Sequence, residues 1–245
     1  MTYCLGILLP SGLVLASDSR SNAGVDQVQT VRKLALFTQP QSRVIAVLSQ
    51  GNLATTQAVV TRLRQAEGGG DAPADLHQAK TLFDAATIVG ETLRTVIHHD
   101  GRFVEPYGSA DASFLLGGQI KGEPHRLFQI YTAGNFVEAT SRSDFLQIGE
   151  TKYGKPILDR ALTPQSTLDH ATKLALLSFD ATMRSNLSVG PPIDLLRYTA
   201  DSFTAANLGA LEDRNPYWRT LRKRYSEGLI SLVNRLPAPP EEWVS

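Results

Sequence analysis

The spacing of apolar residues along this chain changes period several times, and each change marks an element. Thr2 to Leu9 is strand-like, Pro10-Ser11-Gly12 reads as a turn, and Leu13 to Ser17 is a second strand, so the chain opens on a β-hairpin. Arg32 to Phe37 and Val44 to Leu48 read as two more short strands around the turn-rich Gln39-Pro40-Gln41-Ser42. After Gly51 the spacing lengthens: Leu53 to Glu67 is predicted helical, and Gly68-Gly69-Gly70 stops it because consecutive glycines cannot hold a helix. Pro73 is predicted to open a longer helix ending near His98-His99-Asp100-Gly101. Leu76, Ala79, Leu82, Ala86, Val89, Leu93 and Val96 recur there at intervals of three and four and predict one buried face.

The middle of the chain returns to strands at Ala112 to Leu116, Leu127 to Thr132, Phe136 to Ala139 and Phe145 to Ile148. Helices follow at Thr151 to Ala161 and Leu168 to Met183, then a strand from Leu195 to Ala200 after Pro191-Pro192. Pro216 is predicted to begin a last helix through Leu232, which Pro237-Ala238-Pro239-Pro240 ends. Blocks of strands alternating with pairs of helices predict a layered α+β fold rather than a doubly wound sheet. No internal repeat or long linker divides the chain, so 1–245 reads as one domain with a C-terminal helix and Pro-rich tail over about 216–245.

Composition narrows the function classes. The 24 Lys and Arg balance 24 Asp and Glu, which argues against a dedicated nucleic-acid binder and leaves self-association unopposed. Cys4 is the single cysteine, so neither an intrachain disulfide nor a cysteine-based zinc site is possible, and a reducing, cytoplasmic setting is expected. The N-terminal region has no basic residue before Arg20 and is broken by Pro10-Ser11-Gly12, unlike a secretory signal. No run reaches the roughly 18 apolar residues of a membrane span. No metal or cofactor is expected.

The chemistry suggested most strongly is at Thr2. Removal of Met1 would leave threonine first, so one residue would carry both a nucleophilic hydroxyl and a free α-amine. With a reference pKa of about 8, that amine can serve as general base without a histidine. Asp18 closes the second predicted strand and Lys33 opens the third. If the hairpin pairs with that strand, both lie beside Thr2. A buried lysine cation there disfavours the charged amine, and Asp18 would hold the lysine. Read singly, the same residues are a Met-Thr start, a capping aspartate and a solvated lysine.

Taken together, the pattern resembles the proteasome β-subunit family. Thr2 is followed by a strand with Gly6, and Gly12 by Ala16-Ser17-Asp18-Ser19-Arg20; Lys33 and a Gly51 that opens a helix come after. The opening Thr2-Tyr3-Cys4-Leu5-Gly6-Ile7, the run from Ser17 to Asp26 and Gln147-Ile148-Gly149-Glu150-Thr151-Lys152-Tyr153-Gly154-Lys155-Pro156 are similar to the bacterial branch of that family called Anbu. The resemblance runs from Thr2 to about Pro216. It implies a four-layer αββα N-terminal nucleophile hydrolase sandwich of two antiparallel sheets between helix layers. It further implies Thr2 as nucleophile, Asp18 and Lys33 as tuning residues, the Gly51 N–H as oxyanion donor, Ser188 as a supporting serine and Ser49 toward the base of the substrate pocket. Two positions depart from the family pattern. Ser185 stands where an aspartate is usual, and Glu150 replaces a second supporting serine.

Other motifs read more plainly. Gly149-Glu150-Thr151-Lys152-Tyr153-Gly154-Lys155 matches part of a phosphate loop, but Pro156 takes the place of its Ser or Thr and removes an N–H from the cradle. His98-His99 are neighbours and point apart on a helix. Arg219, Arg222, Lys223 and Arg224 read as a solvated face or a subunit contact. Trp243 ends an extended, Pro-rich tail that either frays or docks on a neighbouring subunit. Three functions stay open at this level. One is a threonine hydrolase acting on peptides or unfolded chains inside a homo-oligomeric ring or open helical ring. The others are a self-assembling scaffold with little hydrolysis and an amidase for a small amide. An ATPase partner is neither implied nor excluded.

Overall fold

A computed structural model of the chain describes residues 1–22, 28–69, 74–140, 142–205 and 208–240. Two five-stranded antiparallel sheets form its centre. The first contains β1 (Tyr3–Leu9), β2 (Gly12–Asp18), β10 (Phe145–Gly149), β11 (Ile193–Thr199) and β12 (Leu208–Leu211), in the order β10-β1-β2-β11-β12. The second contains β5 (Leu34–Gln39), β6 (Arg43–Gly51), β7 (Ala112–Ile120), β8 (Arg126–Ile130) and β9 (Phe136–Glu138), in chain order. A small hairpin, β3 (Arg20–Asn22) with β4 (Val28–Thr30), stands apart. The helices are α1 (Leu53–Ala66), α2 (Leu82–Val104), α3 (Lys155–Ala161), α4 (Leu168–Ser185) and α5 (Pro216–Val233).

The two-residue period of a strand explains the layers. Along β1, Tyr3, Leu5, Ile7 and Leu9 face a core shared with Leu158 of α3 and Ala171, Ala175 and Phe179 of α4, whereas Cys4 faces the other sheet. Along β6, Ile45 and Val47 face Val59 and Leu63 of α1 and Val89 and Leu93 of α2, while Val44, Ala46 and Leu48 face inward. Three cores result, one between the sheets and one under each helix layer. This is the α+β sandwich that the family resemblance implied.

Element by element, the expected hairpin, the α1 helix after Gly51 and the α5 helix from Pro216 are all present. The long helix differs. It starts at Leu82, where the Thr81 hydroxyl accepts the Asp84 N–H at 3.1 Å and Asp84 accepts the Thr81 N–H at 3.0 Å, and it runs on to Val104. Leu76 and Ala79 are buried, but from the turn-rich segment ahead of that capping box, so their spacing imitated a helix. Pro73, Gly70 and Trp243 lie outside the described residues. The helix expected from Thr151 begins at Lys155, with Pro156 in its first turn. Three short strands, β3, β4 and β12, have no counterpart in the sequence pattern.

Candidate active site

β1 carries Thr2 to one end of the first sheet and pins it there through its backbone. The Glu150 N–H donates to the Thr2 carbonyl at 2.8 Å, and the Tyr3 N–H donates to Asp18 Oδ1 at 3.0 Å. The close approach requires Gly149: at its φ of +87° a Cβ would stand 2.0 Å from the Thr2 carbonyl oxygen. Gly154 is equally confined, because a Cβ there would meet the Tyr3 hydroxyl at 2.8 Å. Both glycines of the phosphate-loop-like segment thus pack against the chain at Thr2 and Tyr3, Gly149 from the neighbouring strand and Gly154 against the Tyr3 hydroxyl. Tyr3 anchors that strand from below. Gln147 donates to its hydroxyl at 2.6 Å, and the hydroxyl meets Ser178 Oγ at 3.1 Å. Ser178 already donates to the Ala175 carbonyl, so the Tyr3 hydroxyl is the donor in that pair. Burial raises this phenol to about 12, so it stays a proton donor at neutral pH.

Asp18 and Lys33 meet beside this point. Lys33 Nζ lies 2.8 Å from Asp18 Oδ1 and donates to the Arg20 carbonyl at 2.7 Å. Asp18 is fully buried and the Lys33 side chain is 7% exposed. The other carboxylate oxygen accepts the N–H groups of Arg20 at 3.2 Å and Gly190 at 3.3 Å. Burial pushes the Asp18 carboxyl up, while Lys33 and the Tyr3 and Gly190 N–H groups pull it the other way. Every one of these contacts offers a hydrogen, which suits the ionised form.

Thr2, Lys33, Ser49 and Gly51 line one cavity of about 380 Å3, and Met1, Thr2 and Gly51 border a second of about 370 Å3. Met1 is 66% exposed, so its removal costs no core packing. Ser49 is held by its N–H to the Lys33 carbonyl at 3.0 Å, which ties the start of β5 to β6. Gly51 ends β6 at φ +118°, where a Cβ would fall 2.3 Å from the Asp111 carbonyl oxygen, so no other residue fits without strain. Asn52 then caps α1 by accepting the Thr55 N–H at 3.1 Å.

Ser188 is half-buried in the turn after α4 and lines neither cavity. That turn is tied to Asp18: Gly190 donates to the carboxylate, Ser19 donates to the Gly190 carbonyl at 3.2 Å, and Arg20 Nη1 donates to the Leu187 carbonyl at 2.6 Å. Sequence reasoning missed Asn186. It donates to Glu150 Oε2 at 2.9 Å and accepts the Ser188 N–H at 2.9 Å, so it joins the buried Glu150 to the Ser188 turn. Ser185 is exposed at the end of α4. A short amide just past a helix end, ready to bond local N–H groups, was the available signal. Cys4 is fully buried, donates to the Ser49 carbonyl at 3.6 Å, and has its thiol pushed far up by burial. It is a core residue, not a nucleophile. Among the described residues no cluster of His, Cys, Asp and Glu is arranged to hold a metal.

No family model matches the chain, and no curated protein matches it. Solved structures do. Anbu (ancestral β-subunit) from Yersinia bercovieri is 47% identical, with a TM-score of 0.91 over 97% of this chain and 98% of that one. A structure of the helical assembly of the Anbu complex from Pseudomonas aeruginosa is 44% identical, with a TM-score of 0.94 over 98% and 99%. A Gly-1 mutant of Anbu from Hyphomicrobium sp. strain MC1 is 44% identical, with a TM-score of 0.91 over 98% and 100%. Likeness of this degree along the whole length, on the sandwich described above, means that the chain belongs to the Anbu family of ancestral β-subunits.

Proposed function

We propose that this chain is a threonine hydrolase that cleaves peptide or amide bonds once Met1 is removed. The observation that carries the reading is the convergence of Thr2, Lys33, Ser49 and Gly51 on one cavity, with Asp18 buried behind and bonded to both Lys33 and the Tyr3 N–H. In the first step the Thr2 hydroxyl oxygen attacks the scissile carbonyl and its proton passes to the Thr2 amine. The Lys33 ammonium favours the neutral amine by like-charge repulsion, and Asp18 keeps the lysine charged and oriented. The Gly51 N–H donates to the oxyanion, a contribution of about 3 kcal/mol in comparable sites. The protonated amine then gives its proton to the leaving amine. The resulting ester is cleaved by a water that the same amine deprotonates. Glu150, Asn186 and Ser188 act as positioning residues outside the cavity, through the Glu150 N–H on the Thr2 carbonyl and the Asn186 bonds to Glu150 and Ser188.

The test is intact mass followed by covalent labelling with a threonine-directed epoxyketone. The expected result is a chain beginning at Thr2 that gains one adduct and hydrolyses members of a broad peptide library. A chain beginning at Thr2 with neither adduct nor turnover would sink the reading.

Assembly of the chain with copies of itself, as a ring or an open helical ring, belongs to the same proposal. It is supported by the helical assembly of the Pseudomonas aeruginosa relative and by the end of α5, where Leu229, Ile230, Leu232 and Val233 stand exposed. The exposed apolar end also favours a second reading, a self-assembling scaffold with little hydrolysis. Under that reading Thr2→Ala leaves both assembly, by light scattering, and any cellular phenotype unchanged. No helix among the described residues is long and apolar enough to cross a membrane.

A further inference from the structure

With Met1 removed, Thr2 is a chain end, and chain ends fray unless something holds them. The backbone of β1 holds this one lightly. On the β2 side the ladder stops at Cys4 opposite Ser17, and the Tyr3 N–H turns to the Asp18 side chain instead. On the β10 side Tyr3 stands opposite Gly149, and a single backbone bond, from the Glu150 N–H to the Thr2 carbonyl, reaches Thr2 itself.

The Tyr3 side chain supplies the remaining hold. It is fully buried, with its ring centroid 4.5 Å from that of Phe179 on α4. Its hydroxyl stands where three elements meet. Gln147 of β10 donates to it at 2.6 Å, and it donates to Ser178 of α4 at 3.1 Å. Gly154, the cap of α3, comes so close that a Cβ there would meet the hydroxyl at 2.8 Å. Packing alone does not call for this hydroxyl. A phenylalanine would keep the ring contact and avoid the cost of burying a polar group. What the hydroxyl adds is direction, because hydrogen bonds to a strand and a helix fix the ring along the β1 axis as well as across it. Thr2 is the next residue in the chain, so its place relative to Lys33 and Gly51 follows that of the ring. Losing the hydroxyl does not undo the fold. Ser178 keeps its bond to the Ala175 carbonyl at 2.7 Å, and Gln147 is only half-buried and can turn to water.

We propose, resting on Thr2 as nucleophile, that Tyr3 is a positioning residue: its hydroxyl, through Gln147 and Ser178, holds the freed chain end where Thr2 attacks and where the Lys33 ammonium acts on its amine.

The experiment compares Tyr3→Phe with the unaltered full-length chain, both beginning at Thr2. The Glu150 N–H reports on the Thr2 carbonyl, and its hydrogen exchange, followed by NMR, should quicken at least about tenfold while the β1 amides from Leu5 onward keep their protection. On a peptide substrate kcat should fall about tenfold with KM within about twofold, the mark of a nucleophile out of place rather than of lost binding. The pH midpoint on the acid limb of kcat should move upward, toward the value of about 8 for an ordinary α-amine, as Thr2 drifts from the lysine charge. Ser178→Ala, which removes one of the two partners, should give part of each change. Tyr198→Phe is the control. Tyr198 is equally buried, lies opposite Leu13 at the end of β2 away from Asp18, and donates to Gln119 at 2.7 Å. Its loss of a hydroxyl should lower stability and leave kcat, the midpoint and Glu150 exchange unchanged. In Tyr3→Phe, intact protection at Glu150, an unchanged kcat, or a lower kcat with an unmoved midpoint overturns the assignment. If the unaltered chain hydrolyses no peptide and takes no epoxyketone, the hydrolase reading falls by itself. Exchange at Glu150 then decides separately: quickened exchange upholds the hold on the chain end, and unchanged exchange overturns it.

Discussion

Asp18 and Asp180 are both buried carboxylates facing cations, yet the two regions are built for different ends. Asp180, 2% exposed, receives Arg184 at 3.1 Å and Arg222 at 2.6 Å, whose side chains are 58% and 26% exposed. Arg222 also bonds Asp213 at 2.9 Å. This set clamps α5 onto α4 with guanidiniums that keep much of their hydration. Around Asp18 the cation is itself buried, and the remaining donors are backbone N–H groups fixed by the sheet and the Gly190 turn. Removing both partners of such a pair from water costs several kcal/mol per ion. A fold that only needed a clamp could do as well with the wet arrangement. The dry one places a lysine ammonium at a cavity wall beside Thr2, where its charge is least screened.

The comparison breaks most severely at Lys33. Lys33→Met leaves Asp18 buried without its cation, and urea denaturation should show a loss of about 3–5 kcal/mol, together with loss of detectable hydrolysis. Lys33→Arg is the sharper probe, because it keeps the charge but puts a larger planar group where the Lys33 ammonium fits between Asp18 Oδ1 and the Arg20 carbonyl. Stability should fall by about 1–3 kcal/mol, while turnover falls at least about tenfold as the charge leaves its position by the amine. At the other carboxylate, Arg222→Ala removes one of two partners and should cost about 1–2 kcal/mol by the same denaturation assay, with turnover per folded subunit unchanged. Arg184→Ala, at a side chain more than half exposed, should cost at most about 0.5 kcal/mol. The smallest expected effect is no reaction at all. Because burial raises the Cys4 thiol, little thiolate exists at pH 8, and iodoacetamide should leave the folded chain unmodified by mass while labelling it after unfolding.

Legibility followed the locality of the signal. The opening hairpin could be read because Pro10-Ser11-Gly12 separates two apolar runs that pair directly, Leu9 opposite Gly12. Thr2, Asp18 and Lys33 could be proposed from their places near strand ends, and Gly51 from the family resemblance, but the pairing expected between the hairpin and the strand of Lys33 does not occur: β5 pairs with β6 in the other sheet, and the Lys33 side chain reaches Asp18 from there. The start of α2 was misplaced because Leu76 and Ala79 are buried from a turn. Burial by a loop and burial by a helix face leave the same apolar letter, and only the Thr81–Asp84 box distinguishes them. Strands β3, β4 and β12 are three or four residues long, too short to display a period.

By itself, then, the sequence determined the alternation of strand blocks with helix pairs, the balanced charge, the single cysteine and a candidate nucleophile. These are carried by periodicity and by residues close along the chain. Only the tertiary structure decided that Asn186 links Glu150 to the Ser188 turn, that Gly149 and Gly154 serve the strand of Thr2 rather than a phosphate, and that the Tyr3 hydroxyl meets Gln147 and Ser178. Those relations join residues tens to more than a hundred positions apart. They exist only where two sheets and their helices bring distant backbone ends together, and no local pattern of apolar and polar residues encodes which distant partners will meet.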